Sequence, residues 1–276
     1  MLFFCECENV RLDGVNLVNA PYWNVFLHGC RDAIISSLNI KGARTRWTND
    51  GIDIDCCRGV TVRDCLIDVG DDALTLRAHC DPLLHSDGAC RDVTVTGCVL
   101  RSSRDNGVRV GVGNGRVTNC VLGDLIIVAP CAAGISLAGR RSDASKSACK
   151  IEDISFHGAM IRANRPVEIL GGAGESPLPK ASFVRGVAFN DCLLSVEPSH
   201  LPPDKGPACL ICGHRDSRVT DITFDRVTLR VPRDFAQPAI RIERADRVFF
   251  RGAQAPGGAD ITDCGAVTLN GIPVSE

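Results

Sequence analysis

A phrase that recurs along the chain, a second short phrase set between its copies, and the lack of any helical stretch predict an all-β fold. That fold is a parallel β-helix, a solenoid of about eight to ten coils, and self-similarity at a fixed period is its sequence signature. The first phrase reads CENVRLDGVNL from residue 7, CRDAIISSLNI from 30, CRGVTVRDCLI from 57 and CRDVTVTGCVL from 90. Weaker copies follow as IEDISFHGAMI, VRGVAFNDCLL, VTDITFDRVTL and ADRVFFRGAQ.

The position shared by Val10, Ala33, Val60, Val93, Ile154, Val187, Ile222 and Val248 marks the coils, most of them 23 to 35 residues apart. The longer step from Val93 to Ile154 predicts one more coil, around GRVTNCVLGDLII. Between these copies lie DGIDI, DALTL, NGVRV, AGISL, RPVEI, ACLI and PAIRI, each a short alternating strand with inward pairs such as Ile52/Ile54, Leu74/Leu76 and Val108/Val110. Each coil therefore has at least two strands, and neighbouring coils bury each other's apolar faces. The reading is a single domain over 1–276, whose opening inside a strand-like pattern fits a chain without its N-terminal cap or leader.

Composition narrows the function. Lys and Arg number 31 against 33 Asp and Glu, for a net charge of −2, so no broad field draws the chain to nucleic acid. No apolar run reaches the roughly 18 residues of a membrane span, and MLFFCECENV is too short a hydrophobic stretch for a signal peptide. The 16 cysteines read as unpaired core thiols: Cys65, Cys98 and Cys192 fill the inward slot that Leu38 takes in an earlier coil. CLIC at 209–212 has CxxC spacing but no partner pair, so no metal is expected there.

The acidic residues concentrate in TNDGIDIDCC and GDDALTL. The residue that opens the second phrase is Asp50, then Asp72, then Asn106 in successive coils, with Asp71 just before Asp72. Stacked coils would gather Asp50, Asp71 and Asp72 on one patch, where like charges raise at least one pKa and supply an acid and base. Outward positions of the same strands, Asp53, Thr75, Arg109, Ser136, Glu168 and Arg241, form a polar floor suited to sugar. Trp47 is a candidate to stack on a sugar ring or to cover the coil edge. Asp53 and Asp55 raise a calcium option, which lacks an EF-hand loop. His79 and His85 read as loop decoration, and His28 sits one coil before the acidic patch.

APYWNVFLHGCRDAIISSLNI, TNDGIDID and GDDALTL resemble the polygalacturonase family, glycoside hydrolase family 28. The resemblance is clear over about residues 15 to 125 and implies a right-handed parallel β-helix. It implies Asp71 as general acid and Asp50 and Asp72 as the groups that activate water. An inverting reaction is also implied, with carboxyls roughly 6.5–9.5 Å apart. Arg77 resembles a basic or polar cleft residue of the family. Two positions depart: Asn106 stands where the family has a histidine, and ISL near 135–137 stands where it has an Arg-Ile-Lys box. Arg109, or the pair Arg140/Arg141, can supply the missing cations from shifted positions.

The expected substrate is therefore a pectic or other acidic or deoxy-sugar polysaccharide or oligosaccharide, cut by a glycosidase unlike a standard endo-polygalacturonase. The expected contacts to it are Asp53, Arg77, Asn106, Arg109 and Trp47, with no cofactor, metal, nucleic acid or membrane partner. Secretion or a periplasmic location is implied by the family alone. A non-catalytic carbohydrate-binding or structural β-helix is the rival from another class. A β-helix polysaccharide lyase is the rival enzyme, disfavoured because adjacent carboxylates come without a well-placed basic residue.

Overall fold

The computed structural model describes residues 1–79, 83–140, 149–171, 183–197, 206–214 and 217–274. Its strands stack into the expected right-handed parallel β-helix. One face carries Val25–His28, Ile52–Asp55, Leu74–Ala78 and Val108–Gly113 in successive rungs, continued by Ile126–Arg140, Met160–Leu170, Cys209–Cys212 and Ile240–Glu243. A second face runs from Arg11–Asp13 through Arg58–Arg63 and Lys150–His157 to Val267–Leu269, all pairings parallel until Ile272–Pro273 returns antiparallel.

Register along the second face matches the repeat read from sequence. Ala33, Val60, Val93, Cys120, Ile154, Val187, Ile222 and Val248 are Cα partners in series, and Cys120 belongs to the coil expected between Val93 and Ile154. The first phrase is not one strand, however. It bends midway, and its second half forms a third series that includes Asn39–Lys41, Leu66–Val69 and Val99–Ser102.

The bend has a local cause in backbone dihedrals. Ser37, Asp64, Gly97, Asp124, Gly158, Asp191 and Arg226 occupy the equivalent turn in successive coils, and all have φ between 51° and 65°. Left-handed backbone is accessible to glycine and tolerated by aspartate and asparagine, so a D or G in mid-phrase is the turn itself. A second left-handed position, at Asp32, Gly59, Asp92, Asn119, Asp153, Gly186 and Asp221, falls just before each inward valine-like residue.

Inside, identical slots stack on one another. Leu38, Cys65, Cys98 and Cys192 are each at most 2% exposed. Cys65, Cys98, Cys192 and both cysteines of CLIC are free thiols. In the later coils Phe156, Phe189, Phe224 and Phe250 form a column with centroids 4.9, 4.8 and 4.6 Å apart and planes within 9° of parallel. Rungs spaced about 4.8 Å apart impose this face-to-face arrangement, which free aromatic pairs avoid in favour of offset or edge contacts.

Candidate active site

The acidic residues sit on the turns that enter the first face. Ile52, Leu74 and Val108 are register partners, and two residues before each come Asp50, Asp72 and Asn106. Three residues before each come Asn49, Asp71 and Asp105. Backbone bonds lock these turns together, Gly51 N–H donating to Asp72 C=O at 2.9 Å and Ala73 N–H to Asn106 C=O at 3.1 Å. Gly70, which opens the GDD box, lets the turn over residues 43–46 close on it: a Cβ there would lie 2.4 Å from the Arg46 carbonyl oxygen. Any side chain at 70 would push that turn off the site.

Asp50, Asp71 and Asp72 each bring a carboxylate oxygen within 4.8 Å of the others'. Asp50 and Asp72 are only 5% and 6% exposed, whereas Asp71 is half-buried. Burial, and then the charges of Asp53, Asp71 and Asp72, push the Asp50 carboxyl up to about 10. Burial pushes Asp72 up to about 7 against the pull of Arg109, and Asp71 up to about 6. The expected rise is present, but it is largest on Asp50, the group expected to serve as base. Asp50 therefore keeps its proton near neutral pH.

Asn106 is 5% exposed and lies at the edge of a cavity beside Arg109. Its side-chain amide donates to Asp72 Oδ1 at 2.8 Å and also to Asp105 Oδ1, and its backbone N–H lies 3.0 Å from both of those oxygens. Its amide nitrogen is thus engaged in holding carboxylates. Arg109 lies 3.9 Å from Asp72 Oδ2 with its side chain 6% exposed, and its Nε and Nη2 have no hydrogen-bond partner among the described residues. It opens onto a cavity of about 230 Å³ lined also by Asp105, Ser136, Arg165 and Glu168. There Ser136 Oγ donates to Glu168 Oε2 at 3.0 Å, and Arg165 pairs with the same carboxylate.

On the other flank the polar floor is sealed. Asp53 and Thr75 are 0% exposed, so Asp53 cannot touch a sugar as expected. Its carboxylate instead anchors Arg77 at 3.1 Å, and the Arg77 guanidinium lies 5.1 Å from the Trp23 ring centre and 5.5 Å from that of Phe26. Arg77 is thus a pinned wall of the cleft, its side chain 16% exposed. Asp55 accepts from the His79 backbone N–H at 2.8 Å and meets His28 Nδ1 at 3.1 Å, a contact that raises the His28 pKa. Both carboxylates of the calcium option are therefore engaged within the chain.

Trp47 stands 58% exposed on the rim, with the Arg104 guanidinium 4.1 Å from its ring centre. The aromatic that shares a register position with Asp50 is Trp23, two residues before Val25, the partner of Ile52. Reading the column back one more coil from Asp50 would have found it. Asp105 was missed as well, although the D-N of RDNG stands to D-D of GDDA as one coil to the next. His85 is exposed, and its backbone N–H bonds Glu6. The side chains of Arg140 and Arg141 lie outside the described residues.

Comparison with known proteins finds similarity to one family over part of the chain. Residues 1–92, which include all three aspartates, match the Glycosyl hydrolases family 28. A probable polygalacturonase of Arabidopsis thaliana is 32% identical over 77 residues, 28% of this chain and 17% of that relative's length. The family 28 exopolygalacturonase of Yersinia enterocolitica shares the fold over 97% of this chain and 46% of its own, with TM-score 0.68 and 14% identity. The tailspike of E. coli bacteriophage HK620, solved with a pentasaccharide, shares it over 89% of this chain and 42% of its own, with TM-score 0.57 and 11% identity. Over its first third the chain is similar in sequence to the family 28 glycosyl hydrolases, and it shares the fold of solved members over nearly all of its length.

Proposed function

We propose that this chain is a polygalacturonase-like glycosidase that hydrolyses glycosidic bonds in a pectic or other acidic polysaccharide or oligosaccharide. The observation that carries this reading is the meeting of Asp50, Asp71 and Asp72 from adjoining coils within 4.8 Å, with one of them half-exposed. Asp71, the carboxyl with most access, donates its proton to the leaving oxygen; near its pKa of about 6 it is part-protonated close to neutral pH. Asp50 carries a proton at neutral pH, and the ionised share of Asp72 takes the proton of the attacking water. Asn106 and Arg109 keep the charge on Asp72, because hydrogen bonds and a nearby cation favour a carboxylate.

Inversion of configuration rests on the family resemblance. The oxygens within 4.8 Å of one another lie closer than the roughly 6.5–9.5 Å typical between acid and base carboxyls of inverting enzymes, so spacing does not carry that assignment. The substrate preference rests on cations. With residues 135–137 standing where the family's Arg-Ile-Lys box would be, Arg109 supplies a guanidinium one rung earlier, as the register partner of Ser136. Its two unpartnered nitrogens suit a uronate carboxylate. A standard endo-polygalacturonase specificity is not expected from so altered a subsite.

The test is product analysis on homogalacturonan, rhamnogalacturonan and neutral glycans, with proton NMR to read the anomer first released. New reducing ends lost in Asp71→Asn support hydrolysis, and an ultraviolet-absorbing unsaturated product would mark a lyase instead. Binding without cleavage would favour a carbohydrate-binding β-helix, a reading to which the shared tailspike fold and the missing histidine lend weight.

A further inference from the structure

We propose that Asp105 is a positioning residue for the acid Asp71, supplying from the neighbouring position the titratable group that Asn106 cannot. This rests on the glycosidase reading above. The two carboxyls occupy the same turn position on adjacent rungs, three residues before the partners Leu74 and Val108. Register stacking sets them on neighbouring rungs, and the Asp105 charge acts on Asp71.

Asp105 is held from several directions. Its backbone N–H donates to Ser102 Oγ at 3.0 Å, and its Oδ1 accepts both the side-chain amide and the backbone N–H of Asn106. The same two donors grip Asp72 Oδ1, so Asn106 fixes the separation between Asp105 and Asp72. The cavity beside Asp105 contains the nearly buried Arg109 with its two unpartnered nitrogens, so a substrate group bound there meets Asp105 at its edge.

The groups facing Asp71 are the acids Asp50, Asp53, Asp72 and Asp105 and, in opposition, Arg109; Arg77 acts through Asp50 and Asp53. Burial raises Asp71 most. Asp105 adds to the rise through its charge and by accepting the Asp71 proton in a hydrogen bond, against the Asp72 N–H and Arg109. The proton so held passes from Asp71 to the leaving oxygen as the glycosidic bond breaks. Water supplies the new C–O bond and gives its proton to Asp72, and that proton returns to Asp71 through solvent. Asp105 makes and breaks no bond in this sequence.

Carbon-13 carboxyl NMR titration tests this in the full chain, with Asp71 assigned by its loss in Asp71→Asn. Asp105→Asn keeps an oxygen for Asn106 and removes the charge. The Asp71 midpoint should fall by about one unit, the size expected for loss of one adjacent carboxylate, and Asp105→Glu should restore it. Where hydrolysis is measurable, the alkaline limb of kcat/KM should move down with it, so that activity lost at pH 7 returns as pH falls. A purely structural residue would lower the rate equally at every pH. An unmoved Asp71 midpoint overturns the proposal. Should Asp105→Asn not fold, Asp105→Ser decides by the same readout: a lowered Asp71 midpoint supports the proposal, and an unmoved one overturns it. Absence of hydrolysis in the wild type would defeat the glycosidase reading while leaving the titration to judge Asp105.

Discussion

Replacing Asp50 by asparagine measures what the acidic cluster costs the fold. Burial and three neighbouring carboxylates push Asp50 from 3.8 up to about 10, so the folded chain keeps a proton there that the unfolded chain releases near pH 4. The folded state binds more protons, so its stability is full below pH 4 and falls as pH rises, by about 1.4 kcal/mol per unit for one proton. From 3.8 to pH 7 is about three units, giving an upper bound of about 4 kcal/mol lost at pH 7. Asp50→Asn is neutral in both states and close in shape to the protonated acid, and it escapes that loss. Denaturant unfolding, followed by the fluorescence of Trp23 and Trp47, should give equal stabilities for wild type and variant at pH 4. The variant should gain steadily above that pH, levelling only as pH approaches 10. Identical pH dependence of the two proteins would mean that Asp50 is ionised in the fold, and the cluster argument would fail with it.

Three further outcomes follow from the geometry. Asp72→Asn should lower kcat at least about a hundredfold, the low end for loss of an acid–base group, with KM little changed in steady-state assays. Arg109→Gln should raise KM for an acidic oligosaccharide about tenfold and leave a neutral one unaffected; equal effects on both would remove the carboxylate assignment. Phe189→Ala, in the middle of the ring column, should cost about 3–5 kcal/mol in unfolding measurements, because the flanking Phe156 and Phe224 are held by their own rungs and cannot collapse into the gap.

Much of this was legible in the chain because a solenoid turns sequence period into spatial neighbourhood. The valine-like position gave the register of the second face rung by rung, and DGIDI and DALTL put Asp50 beside Asp72. The third strand series was hidden because the left-handed turns at Ser37, Asp64 and Gly97 look like ordinary polar interruptions. What failed was the inference that outward means accessible. Asp53 points away from the core yet is enclosed, because Arg77 lies across it and rings from the preceding coil close over both. Alternation reports the side of a strand and says nothing of what crosses above it.

The three aspartates come from two successive coils, and the residues that steady them from a third. Each rung borrows its position from the one beneath, so cleavage would cease as soon as two adjacent rungs slipped or frayed, well before the far end of the stack melted. Hydrolysis by this protein would then serve as a local gauge of its own winding, sensitive to the integrity of residues 49–109 and indifferent to that of the last coils.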